Sequence, residues 1–186
     1  MSKTYKLTTP LNEKQTRELK VGDIVLLSGK LFTARDAAHK KLTDLIAQGK
    51  QLPFDIKGSV IYFVGPTPAK PGEPIGSAGP TTSYRMDSYS PTMIANGSLG
   101  MIGKGKRNQA VKDACKKYGA IYFGATGGAG ALLGKKIKSS KIIAYPELGP
   151  EAVREIEVED FPVTVINDSY GDDLYQIGRE QYEVFE

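Results

Sequence analysis

The stretch DIVLLSGKLFTARDAAHKKLTDLIAQG, residues 23–49, changes its period halfway along. Its opening, DIVLLSG (23–29), is a short apolar run ending in glycine, the pattern of a buried strand. From Thr33 the apolar positions fall three and four apart instead. Ala38, Leu42, Leu45 and Ile46 make one stripe of a helix, and Gly49 follows as its C-terminal cap. A strand delivering into an amphipathic helix is the building unit of an α/β domain.

The same elements recur downstream. Strand-like runs stand at SVIYFVG (59–65), LGMIGKG (99–105), AIYFGATGG (120–128), KIIAYPE (141–147) and FPVTVIND (161–168). A second helical pattern, RNQAVKDACKKYG (107–119), ends on Gly119. The sequence therefore predicts a single α/β domain over residues 1–186 with a largely parallel or mixed sheet. Residues 151–186 are more acidic and read as less periodic. TPAKPGEPIGSAGP (67–80) is too long for a plain connector and reads as a functional or disordered loop. Four apolar runs end in Gly29, Gly65, Gly103 and Gly124. In an open α/β sheet, ligands collect at those carboxyl ends, while ordinary turn chemistry accounts for such glycines equally.

With 186 residues, 40% of them hydrophobic and 25% charged, the chain has the makings of a soluble globular core. No run approaches the ~20 apolar residues of a membrane helix, and MSKTYKLTTPLNEKQ lacks a secretory apolar segment. The expectation is a cytoplasmic protein with no membrane partner. One cysteine, Cys115, and one histidine, His39, exclude an internal disulfide, a Cys/His zinc site and an iron–sulfur cluster held by this chain alone. Cys115 shares a helix face with Ala110, Val111 and Ala114 and reads as core, and His39 reads as structural. The net charge of +4 and pI near 9.0 come from lysine clusters at 103–107, 115–119 and 134–141. No nucleic-acid motif accompanies them, so they read as solvated surface, with small anions or an acidic partner suiting the charge. FGATGGAGALLGKK (123–136) fails both nucleotide patterns. Ala129 stands where a P-loop needs glycine, Lys136 replaces its Ser/Thr, and Leu133 replaces the third glycine of the dinucleotide fingerprint. It reads as backbone close to a small ligand or packed against another subunit.

Cations at helix mouths are the chemical signal. Arg35 falls in the first turn and on the inward stripe of the 33–49 helix, where the dipole disfavours it. Either a bound anion or a structural ion pair with a buried carboxylate would answer that cost. GPTTSYRMD (79–87) repeats the arrangement, with Pro80 and the threonines predicted to open a helix, Thr81 and Arg85 one turn apart, and Pro91 ending it. Lys104, between glycines past an apolar strand, can reach a ligand or remain a surface lysine.

LSGKLFTARDAAHKKL, GPTTSYRMD, GKGKRNQAVKDACKKYGAIYFGATGG and YPELGPEAVREIEVEDFPVTVIND occur in an order that resembles class I fumarate hydratases. The resemblance is to their C-terminal portion, the β subunit of two-subunit versions, and related L-tartrate dehydratase β subunits share part of it. It implies a swivelling β/β/α fold and a hydro-lyase of the tricarboxylic acid cycle, interconverting malate and fumarate within a hetero-oligomer. It implies a partner α subunit that holds a [4Fe-4S] cluster, and a small dicarboxylate bound between the two. By the same resemblance Arg35, Arg85 and Lys104 grip substrate carboxylates, Thr81 is a proton acceptor, and the partner's iron serves as Lewis acid for the departing hydroxyl. A threonine is a poor base at neutral pH unless its pKa is strongly depressed, so a helix cap is the rival role for Thr81. Tartrate dehydration, or a non-enzymatic module binding acidic ligands, are the alternatives.

Overall fold

A computed structural model describes residues 2–125 and 130–182. Strand β1 (Thr4–Thr8) leads through the short helix α1 (Glu13–Glu18), opened by a reciprocal Asn12–Gln15 capping box, into β2 (Ile24–Thr33). Helix α2 (Asp36–Ala47) follows, then β3 (Val60–Tyr62), α3 (Ser90–Ala95), β4 (Gly100–Gly103), α4 (Gln109–Tyr118) and β5 (Ile121–Gly124). The chain finishes with α5 (Gly130–Lys135), β6 (Ile137–Ala144), β7 (Val153–Asn167) and α6 (Leu174–Tyr182).

The sheet runs β1-β2-β3-β4-β5-β7-β6, and β7 pairs additionally with β2. Strands β2, β3, β4, β5 and β7 therefore close on themselves as a five-stranded barrel. β1 to β5 are mutually parallel, while β7 is antiparallel to β2, β5 and β6. The mixed sheet and the α/β class match the sequence reading, but the open sheet it assumed is closed. The agent of closure lies in the segment that reads as least periodic. Along β7, Ile156 and Val158 are buried between outward Glu155, Glu157 and Glu159, the two-residue alternation of a strand.

Closure sorts the apolar runs into two cores. Val60, Tyr62, Ile102, Ile121 and Phe123 join Leu27, Leu31, Phe161, Val163 and Val165 in the barrel interior. The alternate residues Ile61, Phe63, Met101 and Tyr122 pack outward under Ala38, Leu42, Met93, Val111, Ala114 and Cys115 of the helices. Strands buried on both faces need apolar residues at every position, hence unbroken runs such as SVIYFVG.

Residues 67–80 contain no helix or strand but are anchored. Ile75 and Ala78 are buried, Thr67 Oγ1 accepts from Ser77 N at 2.8 Å, and Tyr62 OH donates to the Ala78 carbonyl. Gly130 and Gly134 of α5 pack closely on residues 76–79, so part of the glycine-rich stretch serves contacts within this chain. The centre of that stretch, 126–129, lies outside the described residues.

Candidate functional site

The carboxyl ends of β2, β3 and β4 open at one mouth of the barrel, and the four predicted residues stand on the segments leaving them. Arg35 follows β2 as the N-cap residue of α2, in extended conformation, one position ahead of the predicted first turn. Its guanidinium lies against Gly65, where a Cβ would come within 2.9 Å of Nη1. Arg35 Nη2 stands 3.4 Å from Glu151 Oε1, and Nε stands 3.7 Å from Asp36 Oδ1. Nε and Oδ1 are buried and lack hydrogen-bond partners among the described residues. Glu151 Oε2 meanwhile accepts from Ala37 N at 3.1 Å, so a carboxylate answers the α2 dipole. The ion-pair reading thus accounts for part of Arg35's surroundings, and its Nε is left without an acceptor.

Arg85 comes to the same place. Its Nε lies 3.8 Å from Asp36 Oδ2, so Asp36 stands between the two arginines. Arg85 is half-exposed, beside the exposed ring of Tyr84. The local structure differs from the predicted helix. Thr81 N donates to the Phe63 carbonyl at 2.7 Å, and Thr81 O accepts from Lys104 N at 3.3 Å, which extends the β3–β4 ladder. The chain stays extended through Thr82, and only Ser83–Met86 coils, as a 3-10 turn with no side-chain cap. Pro91 then occupies the first turn of α3 and opens that helix, because its fixed φ suits a first turn and its missing N–H costs nothing there.

Thr81 is therefore not a helix cap, and its hydroxyl carries no hydrogen bond among the described residues. Lys104 is exposed, its carbonyl accepts from Ser83 N at 2.9 Å, and no carboxylate pairs with its ammonium among the described residues. Lys104 and Thr82 form a parallel bridge, which ties the threonine segment to the lysine loop. The mouth thus holds Arg35 and Arg85 against the carboxylates of Asp36 and Glu151, with the Thr81 and Lys104 backbones bonded to each other on the segments beside them. Such an array can bind a small anion with more than one carboxylate.

His39 is buried one turn into α2. Its Nδ1–H donates to the Arg35 carbonyl at 2.9 Å, and its ring meets Phe63 edge-on at 5.3 Å. Burial lowers its pKa to about 4, with the Arg107 charge acting in the same direction and the Arg35 bond and Asp36 opposing. A neutral imidazole that fixes the Arg35 backbone fits the structural role read from the sequence.

Sequence reasoning missed Arg107, which reads as one of a surface lysine cluster. Its side chain is fully buried, with Nε donating to Asp87 Oδ1 and Nη2 to Ser90 Oγ, each at 2.6 Å. The available signal was its place directly before Asn108, whose Oδ1 caps α4 by accepting from Val111 N at 3.0 Å. A cation there faces the same dipole cost as Arg35 and needs an anion nearby.

This chain's residues do not fit an iron–sulfur cluster. Its one thiol, Cys115, is packed in the outer core, and burial pushes its pKa up to about 12. Among the described residues no three His, Cys, Asp or Glu side chains gather as a metal site, and no helix is long and apolar enough to cross a membrane.

Residues 1–178 match the family model described as fumarase C-terminus. The anaerobic class I fumarate hydratase of Escherichia coli K12 is 45% identical over 174 residues, covering 91% of this chain and 32% of its own. Fumarate hydratase 2 of Leishmania major is 45% identical over 164 residues, covering 87% of this chain and 29% of its own. The protein named "Putative L(+)-tartrate dehydratase subunit beta" from Methanocaldococcus jannaschii is 39% identical over 180 residues, 93% of this chain and 92% of its own. The chain thus spans about a third of the fumarate hydratases it matches and nearly all of the archaeal protein.

Proposed function

Because the chain belongs to the fumarase C-terminus family, we propose that it is the β subunit of a hydro-lyase that interconverts malate and fumarate. The observation that carries this reading is the convergence of Arg35, Arg85, Thr81 and Lys104 at one barrel mouth, with the two arginines close enough to share Asp36. The [4Fe-4S] cluster of such an enzyme belongs, in this reading, to a partner α subunit that closes over the mouth.

The residues of this chain have definable tasks. Removing the weakly acidic C–H beside a malate carboxylate builds negative charge on that carboxylate, so a fixed guanidinium stabilises the transition state more than the ground state. Arg35 and Arg85 present planar donor forks that match carboxylates. Lys104, with no carboxylate partner among the described residues and on a backbone tied to Thr81, supplies a point charge on a flexible stem. The Thr81 hydroxyl, free of capping duty, is the proton acceptor of this scheme, and positive charge brought beside it by Arg85 or Lys104 would favour its alkoxide.

The test is anaerobic reconstitution with a cluster-bearing partner, following fumarate absorbance from malate. Each subunit alone should be inactive and the mixture active, and Arg85→Ala should lower kcat/KM by at least about 100-fold. Turnover by this chain alone, or full activity of Arg85→Ala, refutes the split site. L-tartrate is the second substrate to try, because the archaeal relative matches nearly end to end. Activity on tartrate alone would move the assignment to a tartrate dehydratase. An assembled, cluster-loaded complex inert to both leaves a module that binds acidic ligands.

A further inference from the structure

Arg85 rides on a 3-10 turn of four residues, Ser83–Met86. So short a turn has little stability of its own, so whatever fixes Arg85 must lie outside it. The contacts around Arg107 supply that support. Asp87, directly after the turn, accepts from Arg107 Nε with one oxygen and from Asn108 N at 2.8 Å with the other. Ser90 Oγ accepts from Arg107 Nη2 and donates to the Met86 carbonyl at 2.9 Å, gripping the turn from its far end. The guanidinium carbon lies 5.3 Å from the Phe63 ring centre and 4.8 Å from that of Tyr122. Tyr122 OH donates to the Gly105 carbonyl at 2.8 Å and accepts from Ser83 Oγ at 2.9 Å, tying the front of the turn to the Lys104 loop.

We propose that Arg107, acting through Asp87 and Ser90, is the positioning residue that fixes Arg85 relative to Lys104 for binding a dicarboxylate, an inference that rests on the hydro-lyase reading above. A buried ion pair is a poor source of stability, since apolar residues of similar volume often serve as well or better. What apolar residues cannot do is join the segment 81–90 to the segment 104–108 with directed bonds from one rigid fork. Those two segments carry Thr81, Arg85 and Lys104. A displacement of about 1 Å in such a group costs on the order of 100-fold in rate.

The test uses the assembled enzyme and a double variant, Arg107→Met with Asp87→Asn, which removes both charges together and keeps an oxygen for Asn108 N. Neutralising the pair as a unit avoids a stranded buried charge, so the melting temperature should stay close to wild type. Trypsin cleavage after Arg85, followed on this chain before the partner is added and identified by fragment mass, should become at least about tenfold faster, and kcat/KM of the assembled enzyme for malate should fall at least about tenfold. Arg107→Lys, which keeps the charge but not the fork, should fall between wild type and the double variant in both readouts. If the double variant does not assemble, Ser90→Ala takes its place, removing one acceptor while leaving Asp87 paired. A folded variant with wild-type kcat/KM overturns the inference, and so does one with impaired kcat/KM but unchanged cleavage. A wild-type complex inactive on malate and tartrate sinks the hydro-lyase reading instead, and unchanged cleavage in that setting removes the brace as well.

Discussion

Acidification should destabilise this protein through one buried imidazole. His39 is enclosed by Phe63 and Tyr89, and its pKa falls from 6.5 to about 4. The folded state therefore resists a proton that the unfolded chain accepts readily. Above pH ~6.5 neither state is protonated at this site and the shift has no effect. As pH falls below that value the unfolded state gains protons and stability is lost, until the folded pKa is reached and the loss levels off. A shift of this size corresponds to about 2 kcal/mol lost by pH 5 and about 3 kcal/mol by pH 4. The assay is urea unfolding across pH 4–8, in parallel with His39→Asn, whose side-chain amide can still donate to the Arg35 carbonyl but does not titrate. Carboxylates contribute alike to both proteins, so the difference between the curves isolates His39. The wild-type midpoint should drop by about 1 M urea more than the variant's between pH 7 and pH 5. Parallel curves would refute the argument, because they would mean that His39 takes up its proton as easily folded as unfolded.

Three further outcomes follow from particular contacts. A Cβ on Gly103 would stand 1.9 Å from Ser83 Oγ and 2.9 Å from Phe63 Cδ2, so Gly103→Ala should cost about 1–3 kcal/mol by denaturation and impair the assembled enzyme as Ser83 is pushed off Tyr122. Unchanged stability would show that Ser83 does not lean on that backbone. Asn108→Ala removes the α4 cap and should lower stability by about 1 kcal/mol in urea titration. Cys115 should resist a thiol reagent at pH 8 in native buffer and react fully in denaturant, because its thiol is both enclosed and held protonated.

What the sequence revealed and what it hid have separate physical causes. Helices α2 and α4 and strands β2 to β5 are local patterns, and each is visible in its own window because both faces of the strands and one face of each helix are apolar. Arg35 and Arg85 stood out because a cation at a helix start is locally unfavourable, even though the structure places one at an N-cap and the other in a 3-10 turn. Barrel closure was hidden because β7 pairs with β2 across well over a hundred residues, and no window contains both. The alternation around Ile156 and Val158 was present, masked by the acidic residues between them. Thr81 looked like a cap because its backbone partners, Phe63 and Lys104, are distant in sequence. Arg107 looked like surface because lysines surround it, and only the fold shows Asp87 waiting beneath.

The long pairing of β7 with β2 also sets the order in which the molecule can come into being. Val25 meets Val163 and Thr33 meets Arg154, so the barrel cannot shut until residues 153–167 have left the ribosome. Contacts so distant along the chain are slow to form, and until they do β2 offers an unpaired edge to other nascent chains. Arg35, Thr81, Arg85 and Lys104 are all synthesised well before that moment. A polypeptide stopped ahead of Val153 would carry every one of these residues on a sheet whose two ends have no strand to join them.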